Sequence, residues 1–292
     1  MTNRVDRPRL LFRPHPVLGW SLNPGGQVVV GFRDGIVQRV GEDGWRHVPA
    51  RVASSGHRLC IYGCSFTYGT GLADDETFTA LLQALLPDAR VHNRGIGGHG
   101  TVQNLLQFRT DLREGAVDAA IFAVISDHKY RNIVHPHRMR QVRGPEWHRI
   151  GIEHRPTAHR AADGTLAIRY SPFWRPGLMY SDLDGYLPDA EDILPDDYSI
   201  NSTTFAVLET AKEMAQSHGV PLLIALLDDL DPGFNAGLIQ QFPDALDVST
   251  PYDPVHTFLP ADIHPNVEAN RLFAERLADP AALLCEHDGV AR

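Results

Sequence analysis

From Arg58 onward, short and almost unbroken apolar runs take turns with stretches whose apolar residues recur every three or four positions. Leu59 to Tyr62 is the first such run, and it meets a turn-forming residue, Gly63. Phe78, Leu81, Leu82, Leu85 and Leu86 then share one helical face, behind Asp74, Asp75 and Glu76 as capping carboxylates and ahead of Pro87 as the stop. Arg90 to Asn93 reads as a second strand, and Thr101 to Arg113 as a helix with Val102, Leu105, Leu106 and Leu112 apolar. Val117 to Ile125 is apolar nearly throughout, the pattern of a central strand covered on both faces. A helix over Asn201 to His218, capped by Asn201 or Ser202 and closed by Gly219, precedes another buried strand at Val220 to Leu227. Ala245 to Ser249 reads as the last strand and Val267 to Leu277 as the terminal helix. Strands joined by crossover helices predict an α/β fold, a three-layer α/β/α sandwich on a mainly parallel sheet of about five strands.

Two stretches lack this rhythm. Residues 1–57 are rich in Arg, Gly and Pro; Val28 to Phe32 and Ile36 to Val40 flank Arg33-Asp34-Gly35 as a β-hairpin, because Asp-Gly supplies the positive φ angles of a tight turn. This segment reads as a β-rich N-terminal extension packed on the core domain, residues 58–292. From Ser126 to about Ile200 the chain is dense in His, Arg, Pro and aromatics, among them Trp147, Tyr170, Phe173, Trp174, Tyr180 and Tyr186. So long an aperiodic stretch inside a compact domain is usually a functional insertion, read here as a cap or lid with a small hairpin around Gly164.

Charge and composition remove several classes of function. With 27 Lys+Arg against 36 Asp+Glu, a formal net charge of -9, and no local basic cluster, the chain lacks the footprint of a nucleic-acid binder. No run of ~18 apolar residues suits a membrane span, and no signal-peptide pattern opens the chain, so a cytoplasmic, soluble protein is expected. Cys60, Cys64 and Cys285 make an odd count without C-x-x-C spacing, which speaks against a disulfide framework or zinc ribbon. His135-Pro136-His137, with Asp127 and His128 nearby, offers metal-binding residue types without a specific spacing, and no metal or organic cofactor is expected.

The candidate chemistry lies at strand ends. Ser65 follows the first strand and Gly63, where an open parallel sheet leaves its ligand crevice. Asn93-Arg94-Gly95-Ile96-Gly97-Gly98-His99-Gly100-Thr101 is a glycine-dense loop whose backbone N–H groups can approach a ligand. Asp262-Ile263-His264 sets an acid and a base on one loop, so that the carboxylate can hold one ring nitrogen while the other faces a nucleophile. The plainer readings are that Ser65 or Asp262 only caps a helix and that Asp228, Asp229 and Asp231 form a solvated turn.

In this order, Gly63-Cys64-Ser65-Phe66-Thr67-Tyr68-Gly69, Asn93 to Thr101, the segment after Ile125, and Asp262 to Asn266 resemble the blocks of the SGNH (GDSL) esterases and lipases. The resemblance covers about residues 58–132 and 255–278 and implies a flavodoxin-like core. It implies Ser65 as nucleophile, His264 as general base and Asp262 as its orienting acid, although the family more often places that acid where Ala261 stands. It also implies an oxyanion hole from the N–H groups of Ser65 and Gly98. The family's oxyanion asparagine is Ser126 here, and losing such a donor costs roughly a hundredfold to a thousandfold in kcat. Ser126, His128 and Asn132 are the candidate replacements; His128 is preferred, since it starts the insertion near the crevice and an imidazole N–H is a competent donor. An α/β-hydrolase elbow fits less well, because Thr67 replaces its final glycine. The expected activity is hydrolysis of an acyl ester, acetyl esters included, of a small molecule or carbohydrate through an acyl-enzyme. An acyltransferase using the same intermediate and a non-catalytic ligand-binding protein are the alternatives.

Overall fold

The first described elements are two antiparallel hairpins, β1 (Phe12–His15) with β2 (Gly19–Leu22) and β3 (Gln27–Val29) with β4 (Val37–Arg39). They belong to a computed structural model that describes residues 11–49, 56–133, 135, 149–160, 165–172 and 197–286. The second hairpin is the one the Asp-Gly turn predicts, with Gly35 at φ 75°.

The main sheet then forms from β5 (His57–Gly63), β6 (Ala89–Gly95), β7 (Ala119–Val124), β10 (Leu222–Asp228) and β11 (Leu246–Thr250). All its pairings are parallel and its order is β11-β10-β7-β5-β6. The helices are α1 (Ser65–Tyr68), α2 (Phe78–Leu85), α3 (Thr101–Arg113), α4 (His128–Arg131), α5 (Asp197–Ser217), α6 (Pro232–Gln241) and α7 (Val267–Glu286). This is the expected three-layer α/β/α fold.

Alternation along β5 decides which layer each residue serves. Cys60 and Tyr62 face α3, α5 and α6, in one core with Phe108, Phe122, Leu208 and Phe234. Leu59 and Ile61 face α2 and α7, in a second core with Phe78, Leu82, Phe273 and Leu277. β7 is buried at every position, as its unbroken apolar run requires. The chain leaves β5 for β6 on one side and returns past it to β7 on the other. The C-terminal end of β5 is therefore the topological switch point, the place where such sheets open a crevice.

The carboxylates at 74–76 do not cap α2. Thr77 does, accepting from the Ala80 N–H at 3.3 Å, because arginines of the extension have claimed the acids. Arg33 grips Glu76 through two hydrogen bonds of 2.6 and 2.9 Å. Arg46 and Arg39 both bond Asp74. The extension also reaches the far loop, where Phe32 packs on Phe258 with centroids 5.3 Å apart.

In the insertion, β8 (His154–Arg160) pairs antiparallel with β9 (Leu166–Pro172), the hairpin expected around position 164. It is fastened to the body rather than standing over it. Buried Arg155 donates to the Arg131 and Ile133 carbonyls at 2.6 and 2.7 Å, and Leu166 and Ile168 pack on the α3/α5 core. Trp147, Phe173, Trp174, Tyr180, Tyr186 and His137 lie outside the described residues.

Candidate active site

Ser65 is the first residue of α1, directly beyond β5. The turn is anchored from below by Asn93, whose amide donates to the Thr67 carbonyl at 2.7 Å and to Thr79 Oγ1 at 3.0 Å. Gly95 lets β6 pass this close, since a Cβ there would meet the Tyr68 nitrogen at 2.4 Å.

The loop from Tyr252 to Asn266 brings the base. Nδ1 of His264 is 2.6 Å from Asp262 Oδ1, and the same oxygen accepts the His264 backbone N–H at 2.9 Å. Burial raises the Asp262 pKa, but these bonds from His264 outweigh it and hold the carboxyl below its ordinary value. The His264 ring meets Phe66 edge-on, with centroids 5.7 Å apart, so the imidazole lies beside the residue that follows Ser65. The two-residue spacing thus allows the contact that the commoner three-residue spacing gives.

A second pair lies on the same loop. His256 Nδ1 is 2.8 Å from Asp253 Oδ1. The hydrogen bond from His256 is the main cause that holds Asp253 below its usual range. Asp253-Pro254-Val255-His256 has the three-residue spacing, a local pattern that is visible in the sequence but is absent from the candidate residues above. Among the described residues His256 makes no ring contact with α1.

The glycine loop is held on both sides. Gly98 sits at φ 81°, a left-handed conformation that suits glycine. Trp20 of β2 donates its indole N–H to the Gly97 carbonyl at 3.0 Å. His99 Nε2 returns to the Trp20 carbonyl at 3.1 Å, and the two rings stand edge to face 4.9 Å apart. From the other side, buried Arg131 donates Nη1 to the His99 carbonyl at 3.0 Å and Nε to Asp127 at 2.6 Å, with its guanidinium beside Cys64. Neither Trp20 nor Arg131 is among the residues picked out by pattern. Arg131 stands four residues after Asp127, an i,i+4 pair that could have pointed to it; Trp20 is 77 positions from its partner and left no such signal.

The three candidates for the missing asparagine are all committed or enclosed. Asn132 spends its amide hydrogens on Thr101 and Thr204 and accepts from the Val102 N–H at 3.1 Å, fastening the start of α3. His128 is fully buried. Ser126 donates its hydroxyl to Asp228 Oδ2 at 2.8 Å and its N–H to Oδ1 at 2.9 Å.

Asp228 accordingly is no part of a solvated turn. It is 3% exposed, and burial pushes its carboxyl up to about 6 despite the two bonds from Ser126. Asp231 caps α6 through the Phe234 N–H at 2.9 Å and pairs with Lys129, whereas Asp229 is exposed. A carboxyl whose folded value lies above its unfolded 3.8 favours the folded state when protonated, so this group's contribution falls as pH rises from about 4 to about 6. The change is on the order of 3 kcal/mol. Urea unfolding of wild type and Asp228→Asn across that window is expected to show wild type losing stability relative to the variant as pH rises; a difference between the two that stays flat with pH would contradict it.

Among the described residues no group of three or more His, Cys, Asp or Glu is placed to hold a metal ion, and no helix is long and apolar enough to cross a membrane. No protein-family model matches the chain, and no curated protein does. Solved structures align with it distantly. The structure of TesA is 14% identical over 78% of this chain and 99% of that one, with a TM-score of 0.44. A lipolytic protein of the G-D-S-L family from Veillonella parvula is 12% identical over 77% and 97%, at 0.44. The psychrotrophic esterase EstA from Pseudoalteromonas sp., inhibited by monoethylphosphonate, is 11% identical over 76% and 95%, at 0.41. Overlap this loose adds nothing to what the geometry of the site supports.

Proposed function

We propose that this protein is a serine hydrolase of the SGNH kind, cleaving an acyl ester through a covalent acyl-enzyme. The observation that carries the reading is the Asp262–His264 pair, held at 2.6 Å and set against Phe66 next to Ser65 at the switch point of the sheet. Asp262, ionised, keeps a proton on His264 Nδ1 and leaves Nε2 to act as base. His264 takes the Ser65 hydroxyl proton as Oγ attacks the acyl carbonyl. The resulting oxyanion is met by the N–H groups of Ser65 and Gly98. His264 then hands its proton to the leaving alkoxide, the C–O bond breaks, and the alcohol departs from an ester of Ser65. Water, deprotonated by the same imidazole, attacks that ester and releases the carboxylic acid with Ser65 restored.

The substrate class is a small-molecule or carbohydrate ester. A fluorophosphonate probe with peptide mass mapping tests the reading: the adduct is expected on Ser65 of wild type, and strongly reduced in His264→Ala. A folded protein that takes no adduct and hydrolyses no ester would turn the reading toward ligand binding.

A further inference from the structure

We infer that Trp20 is a positioning residue of the oxyanion hole: by holding the Gly97 carbonyl, its indole turns the Gly98 N–H toward the acyl oxygen at Ser65. The inference rests on the serine-hydrolase reading.

The bond between Gly97 and Gly98 is trans, since the one cis peptide among the described residues joins Leu259 to Pro260. In a trans peptide the C=O and the following N–H point in opposite directions. A donor that fixes the Gly97 oxygen on the side of β2 therefore sends the Gly98 N–H to the side away from β2.

Such a fixing is needed here. With glycines at 97 and 98, the backbone on either side of this peptide is the least restrained available to a chain, so the plane can flip at little cost. Trp20 is suited to stop it. Its ring is 1% exposed and wedged against His99, its backbone carbonyl is taken by His99 Nε2, and Phe12 closes over Gly97, 3.3 Å from where a Cβ would be. Arg131 secures the carbonyl two residues on, that of His99, from the opposite side. The loop is thus pinned at residues 97 and 99, on either side of Gly98. An oxyanion donor contributes only if it is aimed before charge develops, so loss of aim is expected to appear in kcat and not in substrate binding.

Trp20→Phe keeps an aromatic ring on His99 and removes the donor. The expected result is a kcat lowered about tenfold, a KM within about twofold of wild type, and a proportionate slowing of phosphonylation of Ser65 by the fluorophosphonate, with the folded state retained. A merely structural role would lower the amount of active protein and leave the kcat of the folded fraction, counted by titration with the probe, unchanged. Equal kcat in the two proteins overturns the inference while leaving the hydrolase reading intact. A wild type that is inert to ester and probe overturns the reading and the inference with it. Should Trp20→Phe not fold, the wild-type indole N–H resonances decide, assigned by substituting the other three tryptophans in turn. The Trp20 signal is expected to shift when Ser65 is phosphonylated, because a bond from the Gly98 N–H strengthens the Gly97 acceptor; a signal that does not move overturns the inference.

Discussion

Ser65→Ala is expected to lower ester hydrolysis at least about ten-thousandfold and to abolish fluorophosphonate labelling, while leaving the thermal transition within about two degrees of wild type. Both halves follow from the local structure. Among the described residues the Ser65 hydroxyl makes no hydrogen bond that holds the fold, and α1 has no side-chain cap. What the turn needs is backbone: the Tyr68 N–H bonds the Cys64 carbonyl at 2.9 Å and the Gly69 N–H bonds the Ser65 carbonyl at 3.0 Å. Removing Oγ therefore deletes the nucleophile and little else. The hole and the base remain, so a small background rate survives. Turnover of p-nitrophenyl acetate beside a melting curve reads both quantities. Activity above about a hundredth of wild type would remove Ser65 from the role.

The second large effect separates two histidines on one loop. His264→Ala is expected to cost about a thousandfold to ten-thousandfold in kcat at neutral pH, because no other group would take the serine proton. His256→Ala is expected to stay within about threefold. Each imidazole has its own aspartate at hydrogen-bonding distance, 2.6 Å for Asp262 and 2.8 Å for Asp253, so pairing alone does not choose between them. Position does: His264 touches Phe66, whereas His256 is tied by its carbonyl to the Asn266 N–H, at the start of the terminal helix. The kcat values of the two variants, compared on the same ester, form the measurement. A reversal would move the base to His256 and with it restore the three-residue spacing.

The sheet could be read from the chain because its signals are local. An unbroken apolar run at 119–124 has no stable home except between two layers, and the repeat at Phe78, Leu82 and Leu85 admits one helix. Ser65 and the Asp262–His264 pair could be singled out for the same reason, each being a few consecutive residues. What escaped was decided across distance. Asp228 looked like turn chemistry beside Pro232 and Gly233, yet Ser126 lies 102 positions away and gives it two bonds. Asp74 and Glu76 looked like helix caps, yet arginines at 33, 39 and 46 took them. The full burial of His128 is something of which sequence carries no record. Asn132, likewise, was spent on the start of a helix that precedes it.

The hold of Arg46 on the body bears on how such a protein can be inherited. Its guanidinium, buried in the turn after α1, donates to the Tyr68 carbonyl at 3.1 Å and the Leu72 carbonyl at 3.0 Å, pairs with Asp74, and stacks over Tyr68. A recombination event that carried the five-stranded unit into another gene without this arm would take the guanidinium from two carbonyls and a carboxylate and uncover Tyr68 and Ile96, which pack with Trp20, Leu22 and Val40. The arm is thus part of the packing of the turn that carries Ser65, and exchanging it would be felt at that turn.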